Sequence, residues 1–110
     1  MTLRPGEVVL IRIDFHQAPG GKLRPAVVLL DSADDDFVAA PVTSRPRVSD
    51  FDAPIRQWRE AGWNTPSTIR VHKLTVLEKA EVARRLGELV GEDRAVLTSA
   101  LRRAFFLEDQ

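Results

Sequence analysis

The stretch Glu7-Val8-Val9-Leu10-Ile11-Arg12-Ile13-Asp14-Phe15 constrains the fold more than any other part of the chain. It is rich in β-branched residues and alternates, with Val9, Ile11, Ile13 and Phe15 on one face and Arg12 and Asp14 on the other. That pattern is a strand's. Pro5-Gly6 opens it. Arg24-Pro25 then leads into Ala26-Val27-Val28-Leu29-Leu30, an unbroken apolar run that reads as a strand buried on both faces. The proline disfavours helical backbone at Arg24, so this arginine is expected to be extended at the strand's start. Phe37 to Ser44 reads as a third strand ending at Thr43-Ser44, with Pro41 implying an edge or irregular position. Between these runs, His16 to Lys22 holds Pro19 and Gly20-Gly21 and is expected to be a mobile loop, and Asp31 to Asp36 an acidic turn.

Downstream the pattern changes. Residues 45–54 contain Pro46, Pro54 and charges without period, which predicts a surface loop. Ile55 to Gly62 offers one or two helical turns closed by a glycine suited to a left-handed cap. Thr68 to Leu74 alternates as a strand, with Arg70 and His72 on one face. In residues 78–90, Val82, Ala83, Leu86, Leu89 and Val90 follow helical spacing, although Gly87 weakens a helix by about 1 kcal/mol relative to Ala. Gly91-Glu92-Asp93 precedes apolar residues at helical spacing and Arg102-Arg103 follows, so the C-terminal segment is expected to be a helix. The fold class expected is mainly β with helices, in one domain spanning residues 1–110.

Composition narrows the chemistry. At 110 residues with 44% hydrophobic and 29% charged side chains, the chain has the make-up of a folded globular domain. No apolar run approaches the roughly 18 residues of a membrane span, and the N-terminus has no apolar leader, so a cytoplasmic location is expected. With no cysteine, thiol nucleophiles, disulfides and Cys-based metal sites are excluded. The two histidines lie 56 positions apart and Asp34-Asp35-Asp36 reads as a solvated turn, so neither a metal nor another cofactor is expected. No phosphate-cradling glycine loop and no Gly-x-Ser-x-Gly elbow is present. The net charge is zero, which argues against a uniformly basic coat, but its distribution is uneven: residues 31–52 hold six acids and two bases, residues 53–75 four bases and one acid. Arginine outnumbers lysine 13 to 3, and a guanidinium suits bidentate phosphate or carboxylate recognition. Arg24 and Thr43, each at a strand end, carry donors suited to a phosphate oxygen, although spacing alone leaves both as ordinary strand residues.

Four segments recur in this order in one family: Gly6-Glu7-Val8-Val9-Leu10, Leu23-Arg24-Pro25-Ala26-Val27-Val28-Leu29, Pro41-Val42-Thr43-Ser44 and Trp58-Arg59-Glu60-Ala61-Gly62. With Pro66 to Leu77, Arg85-Leu86-Gly87-Glu88-Leu89 and the terminal helix, the sequence resembles the MazF/PemK toxins of type II toxin-antitoxin systems, in their PemK-like branch. The resemblance covers nearly the whole chain. It implies an SH3-like (MazF/CcdB-type) barrel of about five to seven antiparallel strands plus a C-terminal helix, and it makes residues 82–89 the last long strand.

The same resemblance implies a metal-independent, sequence-selective endoribonuclease acting on single-stranded RNA, in which a 2′-hydroxyl attacks the adjacent phosphate to give cyclic phosphate and 5′-hydroxyl ends. Its catalytic positions fall on Arg24 and Thr43, with Ser44 completing the dipeptide. An arginine stays protonated at neutral pH and is a poor base. His16, in the loop that folds over the RNA site in this family, is either a proton-transfer residue or a solvated loop histidine. Lys22, Ser44, Arg45, Arg47, Arg70 and Lys73 are the candidates for RNA contacts, and His72 reads as structural or groove-lining. Trp58 and Trp63 are either stacking surfaces for bases or core or dimer-interface residues. The implied partners are RNA, an antitoxin with a disordered acidic or amphipathic tail, and a second copy of the chain. A non-catalytic interaction module, or a gyrase-targeting toxin of the same fold, is the alternative.

Overall fold

The structure, a computed structural model, describes residues 1–15 and 18–106, with 13–15 and 18–21 described as backbone only. Seven strands and one helix follow in chain order: β1 Glu7–Phe15, β2 Ala18–Asp31, β3 Asp36–Thr43, β4 Asp52–Ile55, β5 Ser67–Arg70, β6 Thr75–Glu78, β7 Val82–Glu88 and α1 Glu92–Phe105. Short 3-10 turns occupy Val71–Lys73 and Lys79–Glu81. The strands pair antiparallel in the order β4-β5-β3-β2-β1-β7, with β6 also on β3. Among the described residues β4 and β7 end this path without pairing to each other, so the expected barrel is a bent, open sheet.

β1, β2 and β3 bury both faces, as the apolar run of β2 requires. Val8, Val27, Ala40 and Val42 enter one core, which is covered by α1 through Leu97 and Ala100 and by β4 and β5 through Ile55 and Ile69. Their strand neighbours Val9, Ile11, Ala26, Val28, Phe37 and Ala39 enter a second core closed by Leu3, Leu77 and Val82. Phe37 has no exposed surface. Fully burying such a side chain stabilises the fold by roughly 1.5–3 kcal/mol.

The β2–β3 turn is held by its own acids. Asp34 Oδ1 accepts from the Ser32 hydroxyl at 2.8 Å and the Asp36 N–H at 2.9 Å, and Asp31 accepts from the Ala33 N–H at 2.8 Å. Asp31 also meets Lys79 Nζ at 2.9 Å. The Lys79 hydrogen bond, reinforced by the Leu3 and Ala33 N–H groups, holds the Asp31 carboxyl well below its ordinary range.

Several expectations are corrected. The mobile loop expected over His16 to Lys22 is, from Ala18 onward, part of β2, paired through Phe15↔Ala18 and Ile13↔Lys22, while His16 and Gln17 lie outside the described residues. The loop expected over residues 45–54 closes early into β4, an edge strand that keeps Pro54 exposed. Where helical turns are expected over Ile55 to Gly62, Ile55 ends β4 and Trp58 to Gly62 form hydrogen-bonded turns rather than helix, with Ala61 N–H donating to Gln57 O and Trp63 N–H to Trp58 O. The strand expected over Thr68 to Leu74 stops at Arg70 and resumes as β6.

The helical spacing of residues 78–90 is overturned: Val82–Glu88 is a strand, as the family resemblance implies. Its pairing with β1 shifts register twice, between Val8 and Val9 and between Leu10 and Ile11. Each shift leaves one β7 residue, Leu86 and Ala83, without an opposite number. These bulges break the two-residue alternation and create the apparent helical period. Gly87 is required for another reason: a Cβ there would lie 2.6 Å from Ala61 O, where the turn before Trp63 packs on the strand. Gly62, at φ +105°, makes that turn possible.

Candidate functional site

β3 changes partners along its length. Asp36 to Ala39 pair with β6 on the side away from β2, and Val42 and Thr43 pair with β5 on that same side. Pro41 sits just before the second pairing begins, which accommodates its missing N–H and accounts for the irregular position expected of it. The fork leaves one end of the second core's face uncovered.

Arg24 and Thr43 both belong to that end. Arg24 pairs with Ile11 and is exposed, and by strand alternation it shares the face of Ala26 and Val28. Thr43, half-buried, is the last residue of β3 and shares the face of Ala39 and Pro41. The β2–β3 register runs as far as Ala26↔Pro41, two residues short of Arg24 on β2 and of Thr43 on β3, so both residues lie just beyond the same end of that ladder. Among the described residues Arg24 has no salt-bridge partner. Thr43 Oγ1 accepts from the Arg45 N–H at 3.1 Å, a turn that leads the chain into exposed Ser44 and Arg45. The hydroxyl proton of Thr43 remains available to donate.

Beside Arg24 lies a hollow of ≈ 90 Å³ with apolar walls from Ile11, Ala39, Pro41 and Leu77. Thr75 borders it too, on β6 opposite Ala39 and exposed at the surface. Exposed Lys22 precedes Arg24 by two residues on the same face of β2, and exposed Lys73 lies in the 3-10 turn between β5 and β6.

Arg70 is committed to a partner. Its Nε donates to Asp52 Oδ1 at 3.0 Å, and its NH2 stands 3.5 Å from His72 Nε2. Burial alone raises the pKa of the Asp52 carboxyl. Hydrogen bonds from Ser49 and Arg70 outweigh that effect and hold it below the ordinary value. His72 packs its ring against Phe51, centroids 5.6 Å apart, and is built into this cluster. The cluster anchors the base of the loop carrying Ser44, Arg45 and Arg47. Asp52 was not singled out by sequence reasoning because a strand acid gives no sign of burial until its partner strand is known. Thr75, at the border of the hollow, gives no signal in the sequence because its strand is only four residues long.

Both tryptophans pack with the helix-covered core, on the other side of the sheet from Arg24. Trp63 is buried, and Trp58 is half-buried with the Arg59 guanidinium 4.8 Å over its ring. Catalytic candidate His16 lies outside the described residues. Among the described residues no three His, Asp or Glu side chains gather to hold a metal ion, and no helix is long and apolar enough to cross a membrane.

An open antiparallel sheet forked at β3, backed by one C-terminal helix, is the architecture of the MazF toxins. The Mycobacterium tuberculosis toxin MazF-mt6 matches with a TM-score of 0.75 at 22% identity, over 96% of this chain and 99% of that one. An endoribonuclease in complex with its cognate antitoxin, from a Mycobacterial species, matches at 0.75 and 18% identity, over 99% and 100%. MazF in a MazE-MazF complex from Deinococcus radiodurans matches at 0.71 and 22%, over 90% and 92%. No protein of curated function is significantly similar in sequence. Residues 4–105 match the model of the PemK-like, MazF-like toxins of type II toxin-antitoxin systems, and the chain belongs to that family.

Proposed function

We propose that this chain is an endoribonuclease toxin that cuts single-stranded RNA at the Arg24 end of the sheet, without a metal. The observation that carries the reading is the exposed Arg24, free of salt bridges among the described residues, at the same strand end and on the same face as Thr43. The relatives' description as an endoribonuclease supports it.

In the proposed reaction the RNA 2′-oxygen forms a bond to the adjacent phosphorus while the bond from phosphorus to the 5′-oxygen breaks. The 2′-hydroxyl loses its proton to a base and the leaving 5′-oxygen gains one. The products are a 2′,3′-cyclic phosphate and a 5′-hydroxyl. Arg24 stabilises the extra charge on the five-coordinate phosphorus, and the Thr43 hydroxyl donates a further hydrogen bond to it. A guanidinium is a poor base, so the proton goes elsewhere, and His16 is assigned that role. Replacing His16 by alanine flattens the acidic limb of the rate–pH profile. An unchanged profile removes His16 from the mechanism.

Lys22, Ser44, Arg45 and Lys73 contact the RNA backbone, with Arg70 contributing only what Asp52 leaves free. An antitoxin with an acidic or amphipathic tail occupies the same groove, and the toxin acts as a homodimer in the cytoplasm. The testing experiment is incubation of labelled single-stranded RNA in EDTA with wild type, Arg24→Ala and Thr43→Ala. Cleavage lost only in the variants is expected. An inert wild type across diverse RNAs transfers the chain to the non-catalytic or gyrase-targeting alternative.

A further inference from the structure

We propose that Asp52 is a positioning residue for RNA binding: its buried carboxylate aims the Arg70 guanidinium and the loop of residues 44–48 at the same stretch of RNA backbone. The inference rests on the nuclease reading and adds the group that sets its binding surface. Only 2% of the Asp52 side chain is exposed, and each of its oxygens serves a different element. Oδ1 accepts from Arg70 Nε at 3.0 Å, and Oδ2 accepts from the Ser49 hydroxyl at 2.7 Å. Ser49 Oγ in turn accepts the Phe51 N–H at 3.2 Å, so the exit from the loop is fixed at Ser49.

Both elements lie on the side of the catalytic candidates. Thr43 pairs with Thr68, and Arg70 stands two residues further along β5, so its side chain shares the face of Thr43. Asp52 is the β4 partner of Arg70. With Nε given to the carboxylate and NH2 standing 3.5 Å from His72 Nε2, the NH1 donors have no acceptor among the described residues and are left for a phosphate oxygen. Residues 44–48 are all exposed and carry Arg45 and Arg47, and the near end of the loop is tied to the Thr43 hydroxyl through the Arg45 N–H at 3.1 Å. The far foot has two further ties: Arg103 Nε donates to Asp50 O at 2.9 Å, and the Val71 N–H to Phe51 O at 3.0 Å. These hold backbone carbonyls and do not need Asp52, so loss of the carboxylate re-aims the loop and Arg70 while the foot stays in place.

Electrostatics alone predicts the opposite sign, because an acid beside the path of a polyanion repels it and its removal then tightens binding. The test measures affinity for a mixed-sequence pool of single-stranded 2′-O-methyl RNA, which has no 2′-hydroxyl to attack, across a salt series. Wild type, Asp52→Ala, Asp52→Asn and Ser49→Ala are compared per folded molecule, with unfolding curves giving the folded fraction. Asparagine keeps an oxygen for Arg70 Nε and an N–H for Ser49 Oγ. Expected is about 10-fold weaker binding by Asp52→Ala, with a salt slope shallower by about 0.7–1.4, the worth of one or two phosphate contacts on a single strand, and wild-type affinity or better in Asp52→Asn. On cleavable RNA the loss in Asp52→Ala falls on KM rather than kcat, because Arg24 and Thr43 are untouched. Binding by Asp52→Ala as tight as wild type or tighter, or a loss shared equally by Asp52→Asn, overturns the inference and leaves the nuclease reading in place. If Asp52→Ala does not fold, wild-type affinity in Ser49→Ala overturns it instead. A wild type that cuts no RNA overturns the nuclease reading, and the binding comparison still decides for Asp52; a wild type that binds no RNA overturns both.

Discussion

The two faces of the β1–β2–β3 sheet are built from neighbouring residues yet finished differently. On the helix side, the buried carboxylate is tied to the backbone: Asp93, only 3% exposed, accepts the Arg56 N–H at 3.0 Å and the Gln57 N–H at 2.8 Å. On the opposite face, Phe37 is wholly buried at one end, while at the other Arg24 and Thr75 border an apolar hollow and Thr43 ends β3. The difference teaches that one face uses its polar groups to fix the fold and the other holds donors in reserve. Substitutions on the first face should therefore lower stability, and those at the open end should lower activity alone.

The sharpest probe of the closed end is Phe37→Ala, which should cost about 3–5 kcal/mol in denaturant unfolding, since this ring is wholly buried. A loss below 1 kcal/mol would show that the second core is not packed. At the open end, Arg24→Ala should lower RNA cleavage by roughly 10²–10³-fold, about 2.7–4 kcal/mol of transition-state stabilisation, while the melting temperature stays at the wild-type value. Equal losses of stability and rate would erase the contrast between the faces. On the helix side, Asp93→Ala should destabilise by about 1–3 kcal/mol because two backbone N–H groups lose their acceptor, with cleavage per folded molecule unchanged.

The smallest effect concerns acid. Asp31 and Asp52 have lower pKa values folded than unfolded, so their stabilisation is complete above the ordinary aspartate value near 4. It is lost as pH falls below that value, because the unfolded chain then binds more protons. Asp31→Asn should flatten the acid limb of the stability curve and leave cleavage near pH 7 untouched. A steeper limb in the variant would reverse the sign assigned to this carboxylate.

Legibility from sequence followed how local each signal was. β1, β3 and α1 were readable because their patterns are long, and the acidic turn because Asp34 satisfies its own neighbours, whereas β2 was readable only over Ala26 to Leu30 because Pro19 and Gly20-Gly21 give its first part the look of a loop. β4 was hidden by Pro54, which a four-residue edge strand tolerates with its side chain outside. β7 imitated a helix because two bulges disrupted its alternation. The individual residues Arg24 and Thr43 were nominated through the family resemblance. Residue spacing alone could not place them at one strand end, because that follows from the β2–β3 register, which the turn at residues 32–35 sets. The hollow was wholly invisible, since its walls come from four separate strands.

Pro41 gives the fork a permanence that side-chain packing alone would not. A residue with no N–H to offer cannot supply a donor for either ladder to grow across it, so β5 and β6 are discouraged from knitting into one continuous strand along β3. The fork is thereby favoured by covalent structure: at Pro41 the chain has one stitch fewer with which to sew the seam shut.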